Sequence, residues 1–509
     1  MRRQLGMDGF IARPSSTVTP SASVKNIPPR APIVPAARAR VRPSLPVREP
    51  VPLSAYTPPE RPVHVVRKKT SWRKHTLRAS GALMVLALLV GGTLSYKAYS
   101  KLHKVFHGTA TVAALATKTV DPTLLKGEGD GRVNILLLGI GGAGHEAPDL
   151  TDTMLLLSVD PVNNTAALLS VPRDMWVKMP VNYFGANQKI NAAYSSGKYH
   201  YMGKVDSSNS NASAVEAGFS AVDQTIGSVL GINVNYHVLV DFQAFRQAID
   251  TVGGVTIDVK DQLYDPTMAW ENGNNSVLAA PGVQVMDGKK ALLYARSRET
   301  SSDFARSERQ RQIILGLKDK VLSAGTLSNP AKIDGLMNAF GDNVYSDLST
   351  QGAQRLYTIM KKVNNSKISS IGLAEAPSKF VTTDHVGSIS VVRPVAGFDN
   401  YSAIQAYVRS QLVDGYIAKE NVPVALYGAT TASASAQVVE LKTYGYNITA
   451  AGATPAGVQG TVLVDLSGGK ATYTRNYLEE RYGVKAVTKL PAGVTVQPGA
   501  AKFVILDNK

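Results

Sequence analysis

Eighteen consecutive residues, Ala79–Tyr96 (ASGALMVLALLVGGTLSY), carry no charge. As a helix they span about 27 Å at 1.5 Å per residue, close to the hydrocarbon thickness of a bilayer. A cleaved signal peptide is the competing reading. It fits poorly, because 78 residues precede the run and no clear A-x-A site follows directly on it. We therefore expect one uncleaved transmembrane helix over 79–96. The basic block Val66–Arg78 (VRKKTSWRKHTLR) precedes it, and basic flanks stay inside. Residues 1–78 are then cytoplasmic. Everything after about Lys97 lies outside a plasma membrane that the chain crosses once.

That division explains the charge. The net +17 of the chain looks like a nucleic-acid signal until it is located. Residues 1–78 hold sixteen Lys/Arg and three Asp/Glu, so the outer 431 residues carry only +4. No nucleic-acid partner is expected for a folded part so close to neutral. Thirteen of the 27 prolines fall in residues 1–62, a composition that builds no core and reads as a disordered tail. Its charge suits anionic membrane lipids. The chain has no cysteine, which excludes disulfides, thiolate metal sites and a cysteine nucleophile.

Residues 97–130 read as a stalk and linker. Beyond them, RVNILLLGI (132–140), DTMLLLSV (152–159) and AALLSV (166–171) are strands by their aliphatic runs. A helix follows over about Ala212–Leu230, stopping at Gly231. YHVLVDF, QAFRQAIDTVG and GVTIDV then read strand, helix, strand. This alternation predicts an α/β fold, a layered α-β-α domain with a central mixed sheet, over 131–412. A second alternation over 423–509 predicts a small C-terminal α/β domain with no histidine, a packing or binding module.

One stretch stands out chemically. YARSRETSSDFARSERQRQII (294–314) carries five arginines. LLYARSR reads as a strand that aims Arg296 and Arg298 from one face. DFARSERQRQIILGLKDKVL reads as a helix with Phe304, Ile313, Ile314 and Leu317 buried, and with Arg306, Arg309 and Gln310 on another face. Guanidinium forks match phosphate oxygens and stay charged, so a pyrophosphate is a natural guest. A solvated basic helix, with Glu299 and Glu308 as surface partners, is the competing reading. Arg173 in SVPRD follows a buried strand, where ligands of open α/β sheets sit. Asp152 opens another strand beside the glycine-rich loop Gly139–Asp149 (GIGGAGHEAPD). Glycines permit close backbone approach to anionic oxygens, and no GK[ST] follows to make this a Walker motif.

Taken in order, NILLLGIG, LTDTMLLLSVD, LLSVPRDMWV, KINAAY, VLVDFQAFRQAIDTVGGVTIDV, MDGKKALLYARSR and SDFARSERQRQII resemble the LytR-CpsA-Psr family of cell-wall polymer transferases over about 134–322. The segment 423–507 resembles the C-terminal domain attached to LytR-type members. The resemblance implies a phosphotransferase. Its donor is a glycopolymer on a polyprenyl pyrophosphate, and its acceptor is the 6-hydroxyl of N-acetylmuramic acid in peptidoglycan. It implies Arg173, Arg296, Arg298, Arg306, Arg309 and Gln310 as the pyrophosphate site. Asp152, Arg173, Arg296 and Arg298 would be catalytic, Asp152 a magnesium ligand, and Asp241 an orienter of an arginine. The polyprenyl chain would enter an apolar tunnel between sheet and helices. Gly141 stands where the family has a second acidic ligand; Asp149, Glu146 or His145 of the same loop would substitute. Asp152 and His145 are the candidate bases. Two other classes compete: a non-catalytic polymer-binding wall protein, and a membrane-tethered polyprenyl-pyrophosphate phosphatase.

Overall fold

The computed structural model describes residues 105–509 except 109–110, 117–119, 206–210, 299–302, 328, 342, 375–378 and 498. The tail expected over 1–78, the membrane helix over 79–96, Glu299 and the Phe304 side chain lie outside the described residues. Among the described residues no helix is long and apolar enough to cross a membrane.

The strands used below are β1 (Val133–Ile140), β2 (Thr153–Asp160), β3 (Thr165–Ser170), β4 (Tyr236–Asp241), β5 (Val255–Val259), β6 (Gly282–Met286), β7 (Val344–Ser346), β8 (Ile368–Ile371), β9 (Pro423–Gly428), β10 (Asn447–Ala453), β11 (Gly460–Asp465) and β12 (Phe503–Asn508). The helices are α1 (Ala193–Met202), α2 (Ala212–Leu230), α3 (Phe242–Val252), α4 (Gly288–Arg296), α5 (Asp303–Val321), α6 (Pro330–Phe340), α7 (Thr350–Met360), α8 (Ser402–Gln411), α9 (Thr431–Thr443) and α10 (Thr472–Tyr482).

Six strands form one sheet in the order β7-β4-β1-β2-β3-β8. β1 pairs antiparallel with β2 and parallel with β4, so the sheet is mixed. β1 is aliphatic throughout because both of its faces are covered. Leu136, Leu138 and Ile140 join a core with α1, α2 and α8, through Tyr194, Phe219 and Val408. Val133 and Ile135 join another with α7, through Ile359 and Met360. This is the layered α-β-α arrangement. The parallel β1 and β4 end together, at Ile140 and Asp241, and the next residues of each begin a loop or helix at the same sheet edge.

LLYARSR is not a strand. Asp287 caps a helix there, its Oδ1 accepting from Lys290 N at 2.7 Å. Leu292, Leu293, Tyr294 and Ala295 are all buried. Leucine and alanine favour helix, and the run of buried apolar residues is equally compatible with either element, so short length misled the reading. α4 ends at Arg296, and Ser297 leaves it in extended conformation at φ −56°, ψ 137°.

The C-terminal sheet orders β10-β9-β12-β11, with α9 and α10 packed on it. Residues 120–130 are not a free linker. Val120 and Leu125 are buried in the core of this C-terminal unit, with Tyr477 and Phe503. Tyr473 donates to Val120 O at 2.7 Å, and Asn476 to Leu125 O at 2.6 Å. Tyrosine and asparagine at such distance in sequence gave no signal of this clasp.

Candidate functional site

The site assembles at the sheet edge where β1 and β4 end. Asp152 immediately precedes β2. Arg173 follows β3 through Val171 and Pro172, and its Nη1 donates to Asp152 Oδ1. Asn191 Nδ2 donates to the same oxygen at 3.1 Å. The other carboxylate oxygen of Asp152 has no hydrogen bond among the described residues, and the side chain is 35% exposed. Arg306 from α5, itself only 5% exposed, reaches the Asp152 carbonyl at 3.4 Å.

Asp174 and Lys189 belong to this cluster, and neither was singled out in the sequence. Arg173 Nε lies 3.5 Å and Lys189 Nζ 2.7 Å from Asp174. Burial pushes the Asp174 carboxyl up, but Arg173, Lys189 and Arg298 outweigh it and hold the group below its ordinary range. The exposed Arg298 thus contributes to the positive field at Asp174. The clue was Asp174 itself, next to Arg173 in SVPRD.

Arg296 closes the other side. Its guanidinium lies over the Phe242 ring at 5.0 Å, a cation–π contact. Glu271 holds its Nη1 at 3.0 and 3.1 Å. Nothing in the sequence marked Glu271. The loop carrying Ser297 and Arg298 is pinned by the buried Asp265, which accepts from Ser297 Oγ at 2.7 Å and Arg298 N at 3.2 Å.

Arg309 and Gln310 share a different task. Arg309 is buried and donates to the carbonyls of Tyr294, at 2.8 Å, and Ser297. Gln310 Nε2 donates to Ala295 O at 3.3 Å. Both satisfy carbonyls that the end of α4 leaves open, and so fix where Arg296 emerges. Arg311, the fifth arginine, is 1% exposed and lies on the core side of α5. It donates to Glu308 at 2.9 Å, Ser170 Oγ at 3.1 Å and Ile371 O at 3.2 Å. The stretch is therefore neither a solvated basic face nor a single phosphate clamp.

Asp241 departs from expectation. It is the N-cap of α3, its Oδ1 accepting from Ala244 N at 2.8 Å, rather than the partner of an arginine side chain. Burial raises its carboxyl, against the helix amides and Arg246. Gly142, at φ +77°, passes so close that a Cβ there would sit 2.8 Å from the Asp241 Cβ. The glycine requirement in this loop is thus steric.

The three candidate substitutes for a second acidic ligand separate clearly. Asp149 is buried and already paired: Lys198 Nζ lies 3.0 Å from both of its oxygens, and Tyr199 donates at 2.5 Å. It anchors the loop to α1 and is withdrawn as a metal ligand. Glu146 is exposed. His145 packs edge-on to Phe242 at 5.5 Å and fills the space above Gly141, where a Cβ would meet its Cγ at 2.5 Å. Among the described residues no group of three or more His, Asp or Glu could hold a metal. Magnesium usually takes one or two carboxylates and fills its shell with water and phosphate oxygens. The open oxygen of Asp152 fits that as a single protein ligand.

Beneath this polar rim lies an apolar cavity of about 370 Å³. The sheet supplies Leu137, Leu155, Val238 and Val240; α3 and α5 supply Phe245, Ile314 and Leu317. Asp241, Arg296 and Gln310 also line it, so its polar part is part of the rim. Val105 and Phe106 line it as well, and Phe106 bridges to Ser346 at the β7 edge.

The LytR_cpsA_psr family model matches residues 94–394. The chain belongs to this family. The match covers the six-stranded sheet and the whole site, and ends before β9 of the C-terminal unit. The polyisoprenyl-teichoic acid–peptidoglycan teichoic acid transferase TagV of Bacillus subtilis is 30% identical over 243 residues, 47% of this chain and 56% of that protein. The transferase of the same description, TagU, of Oceanobacillus iheyensis is 30% identical over 294 residues, 56% of this chain and 81% of TagU. The cell wall biosynthesis protein LcpA of Corynebacterium glutamicum is 30% identical over 284 residues, 52% of this chain and 53% of LcpA. The chain thus spans about half the length of TagV and LcpA, and most of that of TagU. The crystal structure of B. subtilis TagV is similar at TM-score 0.42 and 26% identity, over 55% of this chain and 97% of that one.

Proposed function

We propose that this LytR_cpsA_psr chain is a phosphotransferase that moves a glycopolymer from a polyprenyl pyrophosphate to a peptidoglycan hydroxyl, the muramic acid 6-hydroxyl. The observation that carries the reading is the union of two environments. An apolar cavity under the sheet has Arg296 and Gln310 in its wall, and the Arg173–Asp152–Arg306 group lies at the same sheet edge. A lipid diphosphate has those two halves. The similarity to TagV and TagU, polyisoprenyl-teichoic acid–peptidoglycan teichoic acid transferases, supports the same reaction class.

In this mechanism the isoprenoid chain lies in the cavity and its diphosphate meets Arg173, Arg296, Arg298 and Arg306. Their forks bind the ground-state charge and neutralise what develops on the departing polyprenyl phosphate. The acceptor hydroxyl oxygen bonds to the sugar-proximal phosphorus as the bridging P–O bond breaks, and the hydroxyl proton leaves with the departing polyprenyl phosphate. Asp152 would hold magnesium through its open oxygen, beside the diphosphate, and the ion would add further charge neutralisation. Arg309 and Gln310 act through the end of α4, and Glu271 through Arg296. The chain is anchored by 79–96, with its catalytic unit outside the plasma membrane.

A reconstituted assay tests this. Purified full-length protein with a polyprenyl-pyrophosphate glycopolymer, magnesium and peptidoglycan fragments yields a phosphodiester-linked product. Arg296→Ala lowers transfer by roughly 100-fold or more, the loss of a charge-assisted contact worth about 3 kcal/mol. Release of glycopolymer phosphate into water, with no phosphodiester product, would show a phosphatase instead.

A further inference from the structure

A second cavity, of about 260 Å³, lies between the family-matched unit and the C-terminal unit. Four chain segments build it: the entry to β1, the loop after α2, the end of α8, and Tyr444 after α9. Its walls are fixed by the clasp around residues 128–131. Asp414 accepts from Gly129 N at 3.1 Å, Gly131 N at 2.8 Å and Tyr477 Oη at 2.9 Å. Glu128 accepts from Arg481 Nε at 2.6 Å and Tyr446 Oη at 3.0 Å. The cavity is preformed.

Its chemistry is mixed. Arg132 and Arg409 line it together with Glu128, Asp130 and Asp414, so no sign of charge dominates. This argues against a phosphate or polyanion guest. The lining nevertheless has hydrogen-bonding capacity to spare. Half-buried Arg409 has no carboxylate partner among the described residues; it lies over the Tyr444 ring at 5.0 Å and makes one long bond, 3.4 Å, to Thr443 Oγ1. Asn235 uses its Oδ1 on Asn134 N at 2.7 Å, and its amide NH₂ has no hydrogen bond among the described residues. The Asn233 side chain, exposed at the rim, has none either. Planar amide and guanidinium donors, nearby carboxylates and a tyrosine suit a neutral polyhydroxyl ring. The volume, somewhat below the ~300 Å³ of the smallest drug-sized pockets, admits roughly one such ring.

We propose that this junction cavity binds a neutral saccharide unit of a glycan. The inference rests on the transferase reading for its purpose, though not for its chemistry. Asn134 lies near the start of β1 and Ile140 ends it at the reacting edge, about 20 Å away at 3.3 Å per residue. A sugar held here is a remote part of a long chain, whose binding energy helps to hold the reacting end in place. The same chemistry would serve a peptidoglycan strand or the polymer of the donor.

Calorimetric titration of the full-length protein tests it, with muramidase-released peptidoglycan disaccharides in one arm and maltotetraose in the other. At least one arm binds, and Arg409→Met and Asn233→Ala each weaken it by about 10-fold. Peptidoglycan fragments binding alone identifies the acceptor strand; maltotetraose binding alone identifies a donor-type polymer. A farnesyl pyrophosphate titration and the melting temperature of each variant verify folding. In the transfer assay, Arg409→Met raises KM for the glycan by more than it lowers kcat. Failure of both saccharides to bind overturns the proposal, as does binding indifferent to both variants, or displacement of the saccharide by inorganic phosphate. If wild type binds saccharide but performs no transfer, the cavity stands and the transferase reading falls.

Discussion

Filling the apolar cavity separates lipid binding from the arginine rim. Val240 lines the cavity from β4, where it pairs with Gly139 on one side and Val344 on the other. Val240→Phe keeps a good strand former in place and sends a ring into empty space, so folding stability changes by no more than about 1–3 kcal/mol, the usual range for overpacking. The ring displaces about one five-carbon isoprenoid unit. At ~0.8 kcal/mol per buried CH₂, that unit contributes up to about 4 kcal/mol, or roughly 10³ in affinity at 1.4 kcal/mol per decade. Titration with farnesyl pyrophosphate reads the loss; titration with inorganic pyrophosphate, which has no tail, should be unchanged. If the variant folds and binds both compounds like wild type, this cavity is not the lipid site.

Other outcomes follow from the buried polar groups. Arg311→Met removes a guanidinium that is 1% exposed and leaves Ile371 O and Ser170 Oγ without their donor. The loss is about 3 kcal/mol, discounted for exposed Glu308, and thermal melting should drop by roughly 5 °C; an unchanged melt would contradict the structural role given to Arg311. His237 is buried, which lowers its pKa, but Asp223 at 2.6 Å and Asp347 at 2.8 Å overcome this and push it up to about 9. Its folded value exceeds the ordinary 6.5, so its contribution, about 3 kcal/mol, is complete below pH 6.5 and disappears as pH rises through 9. Denaturation midpoints between pH 6 and 10 should show this slope in wild type, and His237→Gln should flatten it. Asp149→Asn strips the buried Lys198 of its counter-charge, costing about 3 kcal/mol. Limited proteolysis should then cut the glycine-rich loop faster, and equal cleavage rates would remove its anchoring role.

Much of the fold was legible because β1 announces itself by its aliphatic run, and α2 by its helical spacing and its stop at Gly231. Family motifs located Arg173, Arg296 and Asp152 along the chain. What escaped was whatever depends on distant segments meeting. LLYARSR could be helix or strand by its apolar run, and only the Asp287 cap and tertiary packing decide for helix. Arg306, Arg309 and Arg311 look interchangeable in sequence, yet one turns to Asp152, one to the carbonyls of α4 and one into the core. Their angular positions on α5 separate them only once the neighbours of that helix are known. Glu271, Lys198 and the packing of Val120 with Tyr477 have no local signature, since each partner lies tens to hundreds of residues away. Asp174 was the exception: it stood beside Arg173 in plain view, although its ion pair with Lys189 again depends on a separate segment.

The reading depends on one lipid diphosphate being held by arginines from separate parts of the chain. A crystal structure of the protein with magnesium and a polyprenyl pyrophosphate tests that directly. We predict diphosphate oxygens about 2.8 Å from the guanidiniums of Arg173, Arg296 and Arg306, with the isoprenoid tail along Val238, Val240 and Ile314. A diphosphate bound at another surface, with the tail outside this cavity, would contradict it.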